Sequence, residues 1–217
     1  MIELLIATNN PGKLAEFAQM FSESPLKMRS LADVGISTDV EETGETFAEN
    51  AAIKAAFYAR LSGISTLADD SGLVIDHLKG EPGVRSARYA GEGAGDNERI
   101  RKVLAKMSAA GDRSARFIAV CALAEATGKI VHTTEGTCEG SIAFEPRGAN
   151  GFGYDPIFLP TGFDQTFSEM PSEIKHSISH RALAVKKMIP FLRGFLTSDL
   201  TVRFFACKLR HLVSDSL

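Results

Sequence analysis

The run Asp69-Asp70-Ser71-Gly72 sets two adjacent carboxylates behind the short apolar stretch Leu67-Ala68. Carboxylates where a strand meets a loop are natural ligands for a hard cation such as magnesium, which also takes phosphate oxygens. With such an ion polarising a phosphoryl oxygen, a second carboxylate can orient or deprotonate water. Another acidic pair, Glu41-Glu42, precedes Thr43-Gly44. The same residue types also build turns without any ligand, because Asp and Ser before Gly hydrogen-bond their own backbone. Local chemistry leaves both readings of Asp69-Asp70 open.

A cation set complements the acids. Thr8-Asn9-Asn10-Pro11-Gly12-Lys13 follows the apolar run Ile2 to Ala7 and opens a helical pattern. Thr8 and Asn10 offer hydrogen bonds, Gly12 permits close backbone approach, and a helix N-terminus attracts an anion. Lys13 adds a full positive charge for phosphate. The P-loop pattern GxxxxGK(S/T) is absent, since Leu14 follows the lysine. The alternative is that Thr8 or Asn10 merely caps the helix.

Further along, Gly151-Phe152-Gly153-Tyr154-Asp155 interleaves aromatic residues with glycine. Such a loop offers a flat face to a base and an acid to accept from ring N–H groups, or it simply packs. His176 and His180 lie four apart, but no third ligand supports a zinc reading, and Ser179 between them reads as a helix cap. Lys175 and Arg181 are placed to face an anion or a base carbonyl.

These residues need elements to hold them. Ile2 to Ala7 reads as a first strand, and Lys13 to Phe21 as a helix through Leu14, Phe17, Ala18 and Phe21. Thr46 to Leu61 is a longer Ala-rich helix. Ser65 to Ala68 and Leu73 to Ile75 read as two short strands separated by a DDSG turn, with a glycine-rich loop over Gly80 to Gly95. Asn97 to Met107 is an amphipathic helix, and Arg116 to Ala126 with Lys129 to Gly140 forms a strand pair. Pro146 to Pro156 is a loop before a strand at Ile157 to Leu159, and Ser179 caps a last helix from His180 to about Phe195. Strand, loop and helix alternate while hairpins occupy the middle, so the expected class is α/β with a mixed sheet.

At 217 residues, with 44% hydrophobic and 24% charged, the chain has the size and composition of one globular domain or two joined lobes. Its net charge of −3 argues against a nucleic-acid partner. Apolar runs fall well short of the roughly 20 residues that cross a bilayer, and no signal peptide is evident, so no membrane partner and a cytoplasmic location are expected. Three widely spaced cysteines without a CxxC fit reduced thiols.

Six stretches in order, ATNNPGK (Ala7 to Lys13), EETGETFAENAAIKA (Glu41 to Ala55), ADDSGL (Ala68 to Leu73), PGVRSARYAG (Pro82 to Gly91), GFGYDPIF (Gly151 to Phe158) and ISHR (Ile178 to Arg181), make the sequence closely similar to the inosine/xanthosine triphosphate pyrophosphatase family, also called Ham1-like. The resemblance spans residues 1–196 and leaves 197–217 as an extension of unknown role. It implies an elongated mixed β-sheet flanked by helices, two lobes with a central active-site cleft, and a homodimer. It implies hydrolysis of ITP, dITP and XTP to the monophosphate and pyrophosphate with magnesium. Carried over by position, Thr8, Asn9, Asn10, Pro11, Gly12 and Lys13 would grip phosphates. Glu42 and Asp70 would engage the metal, with Asp70 also accepting the proton of the attacking water. Ser71 would contact the substrate, and Phe152, Gly153, Tyr154, Asp155, Lys175, His180 and Arg181 would form the base pocket. Glu41 is a further acidic neighbour, and Asp69 is expected to support the metal site. A nucleotide-binding regulatory module and a hydrolase of modified pyrimidine triphosphates are the competing functions.

Overall fold

The computed structural model describes residues 2–195 apart from 23, 25 and 193. The first strand, β1 (Ile2–Ile6), buries Leu4, Leu5 and Ile6 completely, so both of its faces are covered. Helix α1 (Pro11–Met20) leads back to β2 (Leu26–Ser30), which pairs parallel to β1. The sequence reading assigned no strand there, since five residues with two apolar positions give little alternation to detect. Helix α2 (Phe47–Ser62) starts from a capping box between Thr46 and Glu49 and stops at Gly63, whose φ of 68° suits a left-handed C-cap.

Strand β3 (Thr66–Ile75) then joins β1 in parallel, and β4 (Ser114–Ala124), β5 (Ile130–Ile142) and β6 (Phe158–Pro160) complete an antiparallel half. The six-stranded order is β2-β1-β3-β4-β5-β6, the mixed sheet of an α/β fold. The remaining α-helices among the described residues are α3 (Asp96–Lys106), α4 (Ser172–Ile178) and α5 (180–192).

Three packed clusters organise the sheet. One face of β1, β3 and β4 packs Leu4, Leu67 and Cys121 against Phe17 of α1 and Val185 and Met188 of α5. The opposite face packs Leu5, Ala68 and Ala122 against Ala51, Ala55 and Ala59 of α2. Farther along the long strands, Leu73, Ile75 and Phe117 join Ile100 and Val103 of α3 and Phe158 of β6.

One expectation is corrected: Asp69 to Gly72 is no turn. β3 runs straight through it, because β4 pairs with every residue from Thr66↔Ala124 to Ile75↔Ala115. Gly72 serves close approach instead, since a Cβ there would strike Ser86 and the Gly83 carbonyl of the 3-10 turn Gly83–Arg88. That turn also gives structure to part of the stretch read as loop. Residues 197–217 lie outside the described residues, and among the described ones no helix is long and apolar enough to cross a membrane.

Candidate active site

β1 pairs with β3 only through Leu5 and Ile6, whereas β4 accompanies β3 over its whole length. Past Leu67, one edge of β3 is therefore left uncovered by β1, and a cleft of about 290 Å³ opens along it. Strand alternation sends successive side chains to opposite faces. Asp69 and Ser71 turn toward α1 and α5, while Asp70 turns toward α2. The cleft wraps the free edge and so collects groups from both faces.

Its first corner lies at the N-terminus of α1. Asn10 Oδ1 accepts the Lys13 N–H at 3.0 Å, the Asn10 N–H donates to Thr8 Oγ1 at 3.1 Å, and Pro11 occupies the first helical turn. The cap reading holds for Asn10, and Lys13 lines the cleft. No acidic residue lies in the first turn of α1, so nothing on the helix itself neutralises its positive end. Lys13 Nζ sits 3.2 Å from Asp69 Oδ1. Burial pulls the Lys13 pKa down, with Asp69 opposing. Asn9 is exposed at the rim.

Gly12 joins this corner to the next. A Cβ on Gly12 would lie 2.5 Å from the Phe152 ring. Gly12→Ala is expected to push that ring aside and destabilise the fold by about 1–3 kcal/mol, as overpacking does. Urea unfolding would read the stability loss, and a raised KM for nucleotide would report the displaced ring.

The second corner is acidic. Glu42 Oε1 and Asp70 Oδ1 converge on Lys54 Nζ at 2.7 and 2.8 Å, and Asn50 Nδ2 stands 3.5 Å from Asp70 Oδ2. Asn50 and Lys54 are one turn apart on α2 and share a face. Burial raises the Asp70 pKa above its ordinary value despite Lys54. Burial opposes the Lys54 charge, yet Asp70, Asp69 and Glu42 outweigh it and hold that pKa up. Two carboxylates meeting one ammonium form a hard-oxygen donor pair that fits magnesium, which takes few protein ligands and fills its shell with phosphate and water. Among the described residues no group of three or more His, Cys, Asp or Glu side chains could form a complete cage. Glu41 is exposed and stands apart from this pair.

The third corner is built from buried charge. Asp155 Oδ2 accepts the Phe152 N–H at 2.9 Å and pairs with Lys175 Nζ at 2.7 Å. Lys175 also pairs with Glu16 Oε1 at 2.8 Å, and Glu16 Oε2 accepts from Arg181 Nη1. Arg181 donates to Asp69 Oδ2 through Nε at 3.1 Å and Nη2 at 3.0 Å, and to Ser71 Oγ at 2.8 Å. Asp155, Lys175, Glu16, Arg181, Asp69 and Lys13 thus form one chain of alternating sign. Burial opposes ionisation of Asp69, but Arg181, Lys13 and Lys54 hold its pKa well below the usual range. Phe152 lies across the two cations, its ring centroid 5.0 Å from Lys175 Nζ and 5.8 Å from the Arg181 guanidinium carbon. Asp96 of α3 accepts the Gly153 N–H at 2.6 Å, and Tyr154 donates its hydroxyl to Ser86 O at 2.9 Å, which fixes the 151–155 loop.

His180 stacks on Phe117 at 4.6 Å and 10°. Burial drives its pKa far down, so the imidazole is neutral near pH 7, and among the described residues its buried Nδ1 has no hydrogen-bond partner. Ser179 caps α5 as expected, with its Oγ accepting the Ala182 N–H at 3.3 Å. This break puts His176 on α4 and His180 on α5, so their spacing is not that of one helix face.

A profile of the Ham1 family matches residues 4–191. The chain belongs to the Ham1 family. It is 49% identical over 195 residues to the dITP/XTP pyrophosphatase of Bacillus licheniformis, covering 88% of this chain and 98% of that protein. Against the dITP/XTP pyrophosphatase of Bacillus subtilis the identity is 48%, over 89% of this chain and 98% of its relative. Among solved structures, a HAM1 protein from Coxiella burnetii superposes with a TM-score of 0.80 at 44% identity, covering 89% of this chain and 100% of that one. The Staphylococcus aureus Ham1 protein gives 0.78 at 40% identity, over 88% and 98%.

In this Ham1 fold the expected residues of all three corners line one cleft, apart from Pro11, Gly12 and Glu41. Asp69 takes its direct partners from the cation chain, Lys13 and Arg181, because alternation puts its side chain on the other face from Asp70. Sequence reasoning assigned no role to Lys54, Asn50, Glu16 or Phe117. Asn50 and Lys54 had a usable signal, their one-turn spacing inside Glu41 to Ala55. Glu16 had a weaker one, as a lone acid one turn after Gly12 on a helix whose neighbours are apolar. Phe117 had none, since nothing local distinguishes it from core.

Proposed function

We propose that this Ham1 protein hydrolyses deaminated purine nucleoside triphosphates, ITP, dITP and XTP, to the monophosphate and pyrophosphate. The observation that carries the reading is the co-location, in one cleft, of a phosphate grip, a carboxylate with a raised pKa and a cation-backed aromatic loop. The likeness in sequence to proteins named dITP/XTP pyrophosphatase supports it.

Water attacks the α-phosphorus while the bond to the bridging oxygen breaks and pyrophosphate leaves. Asp70 takes the proton from water as the new P–O bond forms; a carboxyl pushed above its ordinary pKa is a stronger base for that step. Lys54 lies 2.8 Å from Asp70 and faces the negative charge that develops on the phosphoryl oxygens, as do Lys13 and the N-terminus of α1. Glu42 and Asp70 would hold magnesium, which supplies Lewis-acid polarisation of phosphoryl oxygens when bound.

The base lies against Phe152. Hypoxanthine and xanthine carry a C6 carbonyl where adenine carries an amino group, so a remaining Arg181 N–H meets an acceptor in the first case and a donor in the second. Among the described residues no hydrogen bond engages Asp155 Oδ1, which is left to accept the ring N–H of a deaminated purine. A site built this way rejects the wrong base strongly, because mispairing strands buried polar groups.

The test is pyrophosphate release from ITP, XTP, GTP, ATP and modified pyrimidine triphosphates side by side. ITP and XTP are expected to lead; equal rates across the purines, or binding of ITP without release, would refute the reading. Removing magnesium with EDTA is expected to abolish release and restoring it to recover the activity, checked by the same assay. The same reading takes the enzyme to be a cytosolic homodimer, with light scattering as the check on its mass.

A further inference from the structure

Resting on the proposed reaction, we infer that Asp69 is a positioning residue that couples recognition of the base to the grip on the triphosphate. The two ends of a nucleotide fall to two cations, Arg181 at the base and Lys13 at the phosphates. One carboxylate holds both. Asp69 Oδ2 takes two N–H groups of Arg181 at 3.0 and 3.1 Å, and Asp69 Oδ1 takes the Lys13 ammonium at 3.2 Å.

Each half of this joint has little freedom. The Asp69 side chain is wholly buried, and its backbone stands opposite Cys121 within the continuous β3–β4 ladder. A guanidinium has five N–H donors. In Arg181 four are engaged, two by Asp69, one by Ser71 and one by Glu16, which leaves one on Nη1 for a base carbonyl. The direction of that last donor is set by the other four. On the opposite oxygen, Lys13 is the sole partner among the described residues: no hydrogen bond reaches Asp69 Oδ1 apart from this ion pair.

A change at either end must therefore pass through the shared carboxylate. If Lys13 is lost, Oδ1 is buried without a direct partner, and the carboxylate recentres on the guanidinium. The free Arg181 N–H then turns away from the base carbonyl, although Lys13 itself touches no base. A lysine that only binds phosphate has a different signature: it weakens ITP and ATP equally, since the triphosphate is common to both.

Selectivity, the kcat/KM for ITP divided by that for ATP, is the readout, measured on the full-length protein as wild type, Lys13→Met and Asp69→Asn, with thermal melts to confirm folding. Lys13→Met is expected to lower kcat/KM for both nucleotides and also to reduce selectivity, by up to about 10²-fold, the cost of a misplacement of about 1 Å. Asp69→Asn is expected to reduce selectivity at least as much, with the loss falling on kcat for ITP more than on its KM. Selectivity of Lys13→Met within about twofold of wild type, well inside the misplacement cost, overturns the inference. Unchanged selectivity in a folded Asp69→Asn protein does the same. Should Asp69→Asn fail to fold, Lys13→Met decides alone, because it leaves the Arg181 pair in place. If the wild type releases no pyrophosphate from ITP, the proposed function falls first and takes the coupling with it; wild-type activity with unchanged selectivity in the variants removes the coupling only.

Discussion

Asp70→Asn is expected to lower kcat for ITP by about 10²- to 10⁴-fold, the usual contribution of a general base. The amide keeps the shape of the side chain and its place opposite Val120 on β4, so the strand has no reason to move. Lys54 keeps Glu42 at 2.7 Å and is not left without a counter-charge. What disappears is the lone pair that takes the proton from water and half of the donor pair offered to magnesium. These two losses separate experimentally. Loss of the base lowers kcat at every magnesium concentration, whereas loss of a ligand raises the concentration needed for half-maximal rate. Calorimetry with ITP is expected to show retained binding. Turnover within threefold of wild type at saturating magnesium, far short of a general base's contribution, would remove Asp70 from the proton-accepting role.

How much of this was legible in the sequence depends on how local each signal was. The geometry at the start of α1 was nearly complete, because Thr8 to Lys13 are contiguous and their cap chemistry is written in adjacent residues. The strand-helix alternation and the central hairpin pointed to a mixed sheet for the same reason. Asp69-Asp70 was misread as a turn because its strand character comes from β4, whose Cys121 and Val120 pair with Asp69 and Asp70 from about 50 residues away in sequence. Turn chemistry visible in four residues was overridden by a ladder visible only in the fold. With the strand restored, alternation follows at once, and the two aspartates part company. The links made by Glu16 were out of reach: its partners Lys175 and Arg181 lie on elements at the other end of the chain, and no short-range pattern brings them together. Hence the residues proposed to meet substrate were easier to name than those that hold them in position.

Arg181→Ala carries the largest expected cost in stability. The side chain is 2% exposed and sits between two carboxylates that are themselves buried. Breaking a buried pair from one side costs about 3–5 kcal/mol, since the remaining charge loses its partner without regaining water. Here both Asp69 and Glu16 are left, each with one lysine, Lys13 and Lys175 respectively. Lysine at the same position is expected to recover only part of the loss, because a point charge cannot reproduce the fork that meets Asp69, Ser71 and Glu16 together. Acid pH separates this electrostatic loss from simple loss of volume. Burial alone would raise the pKa of Asp69 and Glu16, and Arg181 is the largest of the causes that bring both below their ordinary values. Groups with depressed folded pKa values contribute stability above their unfolded values and lose it as pH falls through the folded ones. The wild type therefore gives up more stability on acidification than the variant does. The gap between them in urea unfolding is expected to be full near pH 7 and to shrink below about pH 4, where unfolded carboxylates take up protons. A gap constant across that range would mean that Arg181 stabilises the cleft by packing, with its charge contributing nothing to the fold.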